Sequence, residues 1–327
     1  MTPHACPACG ATGALTLAAL PAAPLIDAYR AKPLEIDIAP LFAAARDDIL
    51  LQQCSQCTLK WYANAPAGDA AFYVELQRQP WYYLADKAEY RFAARHIGAA
   101  ARVLEVGCGH GAFRRHLPAE VQYRGLEFNA RAAESARAQG LDVAMQTLAE
   151  EADACAGQYD AVCHFQVLEH VEDPLQFMRD CARALKPGGR MVVGVPAEDS
   201  FLVIAESNWL NMPPHHLTRW TDRALDNALR RVGVEPVQTW HEEVADIHSA
   251  WQREAVSNAG WLWLFGARPA LLARPVAAGL RWRMRRFDLA QRGLFRLGLR
   301  LFPLAARGHT LCMAGVKSPD ARALPNS

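Results

Sequence analysis

At 327 residues, 51% of them hydrophobic, the chain is long enough to bury a large core and to divide into more than one unit. A formal net charge of +1 excludes global attraction to nucleic acid or to acidic partners, and no uncharged apolar stretch reaches the roughly 20 residues that cross a bilayer. Nine cysteines, an odd count, argue against a disulfide framework and for a reducing, cytoplasmic compartment. Met1 to Cys6 lacks a basic segment leading into an apolar run, so no signal peptide is expected.

The first elements are two C-x-x-C knuckles, Cys6-Pro7-Ala8-Cys9 and Cys54-Ser55-Gln56-Cys57, about 45 residues apart. Four thiolates suit a tetrahedral Zn2+ with no open position, a structural ion supplying folding free energy that a small module lacks. A redox pair, unpaired thiols, or zinc with another fourth ligand such as His4 are the alternatives. Pro21, Pro24, Pro33 and Pro40 argue against one long helix between the knuckles. The expected unit is a zinc-ribbon-like module over 1–65. From 66 to 100 runs a linker in which Trp81 to Lys87 leads into a helix including Ala93, Ala94 and Ile97. Tyr82 and Tyr83 there either touch substrate or pack between modules.

Val103 to Val106 reads as a buried strand, followed by Gly107-Cys108-Gly109-His110-Gly111 and a helix starting near Ala112. Glycines at this spacing let the backbone turn sharply and approach a ligand closely. The spacing G-x-G-x-G differs from the dinucleotide pattern G-x-G-x-x-G, and Glu105 would repel a diphosphate but suits a cationic ammonium. A second strand, Gln122 to Glu127, ends in an acid positioned for both hydroxyls of a ribose, unless it is merely a solvated strand end. Tyr159 to Phe165 is a further buried strand, followed by Gln166-Val167-Leu168-Glu169-His170-Val171. A helix from Pro174 to Leu185 carries Leu175, Phe177, Met178, Cys181, Ala182 and Leu185 on one face. Lys186-Pro187-Gly188-Gly189 reads as a breaker turn before a strand from Arg190 to Val195. Cys108, Cys155, Cys163, Cys181 and Cys312 lie in core-like contexts as buried thiols.

In order and spacing, Leu104 to Gly111, Leu126-Glu127, Val167 to Val171 and Leu185 to Gly189 resemble class I S-adenosylmethionine-dependent methyltransferases over about 100 residues. The resemblance implies an α/β fold: a doubly wound, Rossmann-like sheet of seven strands, six parallel and one antiparallel, over 101–245 plus 308–318. It implies S-adenosylmethionine as cofactor, with Glu105, Gly107, Cys108, Gly109 and Gly111 around its methionine portion and Glu127 at its ribose. Phe128 counts among the cofactor contacts, Thr147 and Leu148 adjoin adenine, and Phe165 and Gln166 flank the methyl or the methionine. His170 has a supporting role. The 66–100 segment would fold over the cofactor and help form the substrate entrance. A zinc module ahead of this pattern is also similar to bacterial enzymes that modify sugars and related metabolites.

Pro196 to Trp220 is a long connection at the carboxyl end of a strand, the side on which doubly wound folds bind ligands. Within it, Pro213 and Pro214 precede His215 and His216, and Thr221-Asp222 caps the next helix. An imidazole with a pKa near 6.5 can remove a proton from a nucleophile at neutral pH. The segment resembles the His-x-His-Leu stretch of zinc-module sugar C-methyltransferases, which implies His216 as general base. His215, a second catalytic candidate, stands where those enzymes carry an acid. The alternative is a histidine bonded to backbone in a proline-rich loop.

Val234 to Trp240 reads as the sixth strand and His309 to Val316 as the antiparallel seventh. The helical insertion between them, 246–307, carries Trp261-Leu262-Trp263-Leu264-Phe265 and then ten arginines from Arg268 to Arg307 against one acid, Asp288. Arginine interleaved with Trp, Phe and Leu suits a membrane interface through 261–307; a lid or an oligomer contact are the alternatives. No RNA-binding motif accompanies the arginines, so no nucleic-acid partner is expected. The tail, 319–327, is expected to be disordered.

Together these readings anticipate a cytoplasmic enzyme, with a peripheral position at the inner membrane face if the insertion contacts the membrane. It would move a methyl from S-adenosylmethionine to an oxygen or carbon of a sugar, glycolipid or related metabolite, including a lipid-linked glycan. An O-methyltransferase of a small phenol or quinone precursor, and a non-catalytic cofactor-binding scaffold, are the other two expectations.

Overall fold

The computed structural model describes residues 5–31, 34–43, 48–79, 81–205, 208–266 and 288–319. Its strands, in chain order, are β1 (Ala14–Leu20), β2 (Ile49–Cys54), β3 (Lys60–Ala63), β4 (Arg102–Val106), β5 (Gln122–Leu126), β6 (Asp142–Ala144), β7 (Tyr159–Phe165), β8 (Leu185–Pro196), β9 (Thr218–Arg219), β10 (Val234–Glu243) and β11 (Arg307–Lys317). The larger sheet has the order β10-β11-β8-β7-β4-β5-β6. β11 runs antiparallel to both its neighbours and every other adjacent pair in β4–β8 is parallel, so six strands share one direction and one opposes them.

Central strands read as near-continuous apolar runs because helices cover both faces. On one face Leu148, Met178, Cys181 and Leu225 pack down from helices Leu148–Ala154, Pro174–Ala184 and Asp222–Arg231. On the other, Phe92, Ala93, Ala133 and Ala136 come from helices Ala88–Ala94 and Ala130–Ala138. Local chemistry sets the starts: the Asp173 carboxylate accepts from the Gln176 N–H with Pro174 at the first helical position, and Thr221 caps the Ala224 N–H.

Two local expectations are corrected. Gly111 is followed by a five-residue 3-10 helix, Ala112–His116, rather than a full α-helix. Pro118 disfavours a helical conformation at the preceding residue, and Leu117 is accordingly extended at φ −97 and ψ 150. Lys186 to Gly189 does not separate helix from strand. β8 already pairs at Leu185 with Tyr159, and the register slips before Ala161 meets Arg190, so these residues form an irregularity inside the strand. Of the five cysteines expected in the core, Cys155 is only half-buried.

The smaller sheet, β1-β2-β3-β9, is antiparallel, and its last strand comes from the connection that carries His215 and His216. Between the knuckles lie two helices, Ala22–Arg30 and Ala39–Phe42. Leu25, Tyr29, Ile38, Phe42 and Leu51 form a second core together with Phe72, Leu76 and Met212. Met212 belongs to the histidine-bearing connection, so that connection is packed as well as paired against the N-terminal sheet.

In the insertion, helices Asp246–Leu264 and Asp288–Leu301 cross closely. A Cβ on Gly298 would stand 2.4 Å from the Val256 oxygen, so only glycine permits the approach. The pair packs on Phe201, Leu202 and Ile204. Trp263, Leu264 and Phe265 at the end of the first helix are exposed. The expectations for the Arg281 to Phe287 run and for tail residues 320–327 lie outside the described residues. Among the described residues no helix is long and apolar enough to cross a membrane.

Candidate active site

The glycine turn leaves β4 with Gly107, Gly109 and Gly111 all in the left-handed region, at φ +73, +53 and +76. The Gly107 and Cys108 N–H groups both donate to the Leu126 oxygen at the end of β5, at 2.8 and 3.1 Å, which draws the turn across the neighbouring strand. Side chains are excluded here by contact as well as by torsion. A Cβ on Gly107 would meet Val167 at 2.5 Å, and one on Gly109 would meet the Tyr83 ring at 2.8 Å. The Cys108 thiol faces inward, under the loop against Gly125, and burial pushes its pKa up.

Two carboxylates flank the turn. Glu127 accepts from the Gly109 N–H at 2.8 Å and the Asn129 N–H at 2.7 Å, bracing the loop from the adjacent strand end. Burial raises its pKa, opposed by these N–H groups. Glu105 is buried within β4, where it accepts from the Tyr123 hydroxyl at 2.5 Å. Burial pushes it up to about 8, against the lowering effects of Tyr123 and the Lys87 charge. A carboxyl so placed is stabilised as an anion by any cation that comes to lie beside it.

The linker segment lies directly on this turn. The Tyr83 ring packs against His110 at 4.6 Å and Tyr82 at 5.0 Å, and the Asn129 amide donates to the Gln77 side-chain oxygen. Gln166, at the end of β7, has φ +58, and its buried amide nitrogen has no hydrogen-bond partner. Phe165 is buried edge-on against Tyr90 and Phe113 beneath the site. Phe128 is exposed. The Thr147 hydroxyl caps helix Leu148–Ala154, accepting from the Glu150 N–H and donating to its carboxylate. Thr147 can therefore offer a ligand contact surface but no free hydroxyl.

Beside the turn, one ring nitrogen from each of His170, His215 and His216 lies within 4.8 Å of the others. His215 and His216 stack at 4.4 Å, and Phe72, Tyr73 and Tyr82 surround His215 with centroids 6.2 to 6.4 Å away. Each Nδ1 faces an oxygen acceptor: the His215 carbonyl for His170 at 2.6 Å, the Leu210 carbonyl for His215 at 2.9 Å, and the Asn211 side-chain oxygen for His216 at 2.9 Å. Carbonyl oxygens only accept, so each Nδ1 carries the hydrogen and each Nε2 the lone pair. Burial lowers the pKa of all three, to about 4 for His170, with neighbouring imidazoles adding to the effect at His215 and His216. Glu169 adjoins them, wholly buried and pushed up to about 8 by desolvation, with neither oxygen hydrogen-bonded.

The N-terminal sheet positions this cluster. Trp61 pairs with Thr218 and Lys60 with Arg219, and the Tyr62 N–H donates to the Leu217 oxygen at 2.9 Å. Glu198 bridges Lys60 at 2.6 Å and Arg219 at 2.8 Å, out of solvent. Its burial alone would raise its pKa, but the two cations hold it below the ordinary value. At the other end of that sheet, Cys6, Cys9, Cys54 and Cys57 converge with their sulfurs within 4.8 Å of one another. The Cys6–Cys57 and Cys9–Cys54 sulfurs are 3.6 and 3.5 Å apart, too far for a disulfide and near the ~3.8 Å edge of a tetrahedral zinc–thiolate site.

Asn211, Glu169 and the Lys60–Glu198–Arg219 network were not singled out from sequence. Glu169 lies in the Leu168-Glu169-His170 stretch, and Asn211 and Arg219 in the Pro196 to Trp220 connection, so these segments but not the individual roles were visible. Of two open cavities, of about 410 and 310 Å3, the second lies along the contact of the cysteine module with the histidine-bearing connection, lined by Pro7, Tyr62, Glu172, Leu217 and Thr218. The first, lined by Arg102, Asp160 and Lys186, is at the amino end of the strands, opposite the ligand-binding end of such sheets.

A family model described as a methyltransferase domain matches residues 75–239, half of the chain. Over 97 residues, 28% of the chain, the sequence is 39% identical to the ubiquinone biosynthesis O-methyltransferase of Erwinia tasmaniensis. Over 154 residues, 42% of the chain, it is 31% identical to the protein of that name from Marinobacter nauticus. These matches span 40% and 65% of the relatives' own lengths. A SAM-dependent methyltransferase from Archaeoglobus fulgidus shares the fold at a TM-score of 0.50 and 16% identity, covering 76% of this chain and all of that one.

Proposed function

The chain belongs to the S-adenosylmethionine-dependent methyltransferases, and on that premise we propose that it methylates a hydroxyl oxygen of a small, flat acceptor such as a phenol or quinone precursor. The observation that carries this reading is the aromatic setting of the histidines: Phe72, Tyr73 and Tyr82 ring His215 immediately beside the glycine turn. Such a wall suits stacking against a planar aromatic ring. The relatives' name, ubiquinone biosynthesis O-methyltransferase, points the same way.

Bound S-adenosylmethionine supplies a methyl group on a sulfonium, already activated for displacement. In this reading Glu105 neutralises the ammonium end and the glycine turn admits the backbone approach. Glu127, fixed by two N–H groups, keeps lone pairs for the ribose hydroxyls. Gly107, Cys108, Gly109, Gly111, Phe128, Thr147, Leu148, Phe165 and Gln166 complete the proposed cofactor contacts. His216, held through Nδ1 by Asn211, takes the acceptor proton on Nε2, with His215 as the second candidate. The four cysteines fit a structural Zn2+ in donor type and spacing, and the proposed ion would fix the knuckles that anchor β2 and β3. The proposed units are the module to 65, the linker to 100, the core over 101–245 plus 308–318, and the insertion 246–307.

A sugar or lipid-linked acceptor is the second reading. It is favoured by the cysteine module seated on the histidine-bearing connection and by the exposed Trp263, Leu264 and Phe265 preceding the basic run. Incubation of purified protein with methyl-labelled cofactor and separate panels of hydroxylated phenols, nucleotide sugars and lipid extract discriminates them. Label on a phenol is expected. Label confined to sugar or lipid fractions replaces the first reading by the second, and label in none removes both.

A further inference from the structure

Three imidazoles that merely pack together need not share an orientation, yet His170, His215 and His216 do. Each has its Nδ1 beside an oxygen acceptor, which in the neutral ring makes Nε2 the lone-pair nitrogen, and at His170 the Gln166 backbone also lies within hydrogen-bond reach of the ring. Proteins orient metal-ligating histidines in this way, one ring N–H donating to a carbonyl so that the other nitrogen faces the ion. One nitrogen from each lies within 4.8 Å of the others. His215, more than nine-tenths buried, has an Nε2 without any hydrogen-bond partner. Glu169 adds two buried oxygens without partners, one of them 3.6 Å from the His170 Nε2. Buried polar atoms are normally satisfied, so the unpartnered His215 nitrogen and Glu169 carboxyl point to a missing partner, which a cation would supply.

We propose that His170, His215 and His216 bind a divalent transition-metal ion, at a site separate from the four cysteines. Imidazole ligands suit zinc and its first-row neighbours, and three of them leave a coordination position open for an oxygen ligand. The rings of Phe72, Tyr73 and Tyr82 surround one of the three ligands, His215. Binding of the ion needs no assumption about the reaction. Its consequence rests on the reading that the acceptor hydroxyl sits here: a hydroxyl bound to the ion would give up its proton more readily, and that proton would pass to bulk water. In the metal-loaded protein His216 would be a ligand, and ionisation of the hydroxyl on the ion would replace the base role proposed for His216 above.

The test uses the full chain with its cysteine cluster loaded with zinc, stripped of loosely held metal, then titrated with Co2+. Elemental analysis and visible absorption are read together. One Co2+ per chain beyond the one zinc is expected, with ligand-field bands but none of the strong near-ultraviolet absorption of cobalt thiolates. His215→Ala and the milder His170→Gln should abolish cobalt binding while retaining the zinc and the affinity for S-adenosylmethionine, which certifies the fold. No cobalt beyond the cysteine site, or equal cobalt in both variants, overturns the proposal. Acceptor methylation that proceeds equally with and without the ion overturns the ion's part in the reaction. Cobalt bound normally while no acceptor is methylated overturns the reading of function and leaves the metal site standing.

Discussion

The Tyr62 hydroxyl donates to the main-chain oxygen of Asn211 at 3.2 Å. Tyr62 lies on β3 of the cysteine module, and the Asn211 side chain in turn holds His216 at 2.9 Å. This contact adds to the β3–β9 pairing between the module and the histidine-bearing connection, and the module's condition should register in acceptor chemistry before cofactor binding.

Replacing Tyr62 by Phe removes its hydrogen bond to Asn211 and the one its oxygen accepts from the buried Arg219 at 3.4 Å, while keeping the ring in its core. The expected loss of stability is about 1–3 kcal/mol. Acceptor KM or kcat should change while S-adenosylmethionine affinity stays at the wild-type value. Thermal melting, steady-state kinetics and calorimetric titration together check this. A drop in cofactor affinity with normal acceptor kinetics would contradict the coupling.

Chelation of the ion proposed for the cysteine cluster, or Cys54→Ser, should loosen β2 and β3 and with them the pairing to Thr218–Arg219. Loss of such a support is expected to cut turnover by at least about tenfold, with a smaller effect on cofactor binding. Trp61 lies in the affected strand, and hydrogen exchange at 60–63 and 217–219 gives a direct readout. Unchanged exchange there after metal loss would show that the strands stand without the ion.

Glu198 is the shared anion of two cations, and the Arg219 side chain is only 2% exposed. Glu198→Gln leaves both cations without a carboxylate in a dry environment, a change that costs about 3–5 kcal/mol where buried pairs are broken. Chemical denaturation of the variant should show the loss. A midpoint within error of wild type would mean that water reaches the pair.

Glu127→Ala removes the acceptor of two main-chain N–H groups and one wall of the proposed ribose contact. With charged hydrogen bonds worth about 1.5–3 kcal/mol, cofactor affinity should weaken by roughly ten- to a hundredfold. Calorimetry measures it, and the acceptor KM extrapolated to saturating cofactor should be unaffected. Wild-type cofactor affinity in the variant would remove Glu127 from the proposed site.

Glu105 predicts a pH dependence. Its folded pKa of about 8 lies above the ordinary 4.5, so between those values the folded chain holds a proton that the unfolded chain has lost. Its contribution to stability therefore falls as pH rises through that window. Binding a cationic group beside it requires the carboxylate, so cofactor affinity should rise by up to about tenfold per pH unit below 8 and level off above. Calorimetry at pH 7 in two buffers of different ionisation enthalpy should detect proton release. Glu105→Gln should abolish both the slope and the release; if the variant keeps them, another group is titrating.

Much of the molecule was legible in the sequence because its signals are local. The glycine spacing after an apolar strand, the acid at the end of the next strand, the paired knuckles and the alternation of strands with capped helices each depend on residues a few positions apart. They specified the doubly wound sheet, and they singled out the glycine turn and the cysteine quartet that the fold assembles. Pro118 was visible too, but its effect on Leu117 had to be weighed against a preceding helix signal, and there the proline prevailed.

What only the tertiary structure decided lies between segments far apart in the chain. Lys60 meets Glu198 across 138 positions and Tyr62 meets Asn211 across 149, and nothing in either neighbourhood announces its partner. The same holds for His170, which lies 45 positions from the His215 carbonyl that orients it. Periodicity says which face of an element is buried, not which other element buries it. Packing of the cysteine module onto the Pro196–Trp220 connection made that choice, and with it gathered three histidines and an unpartnered Glu169 into one site.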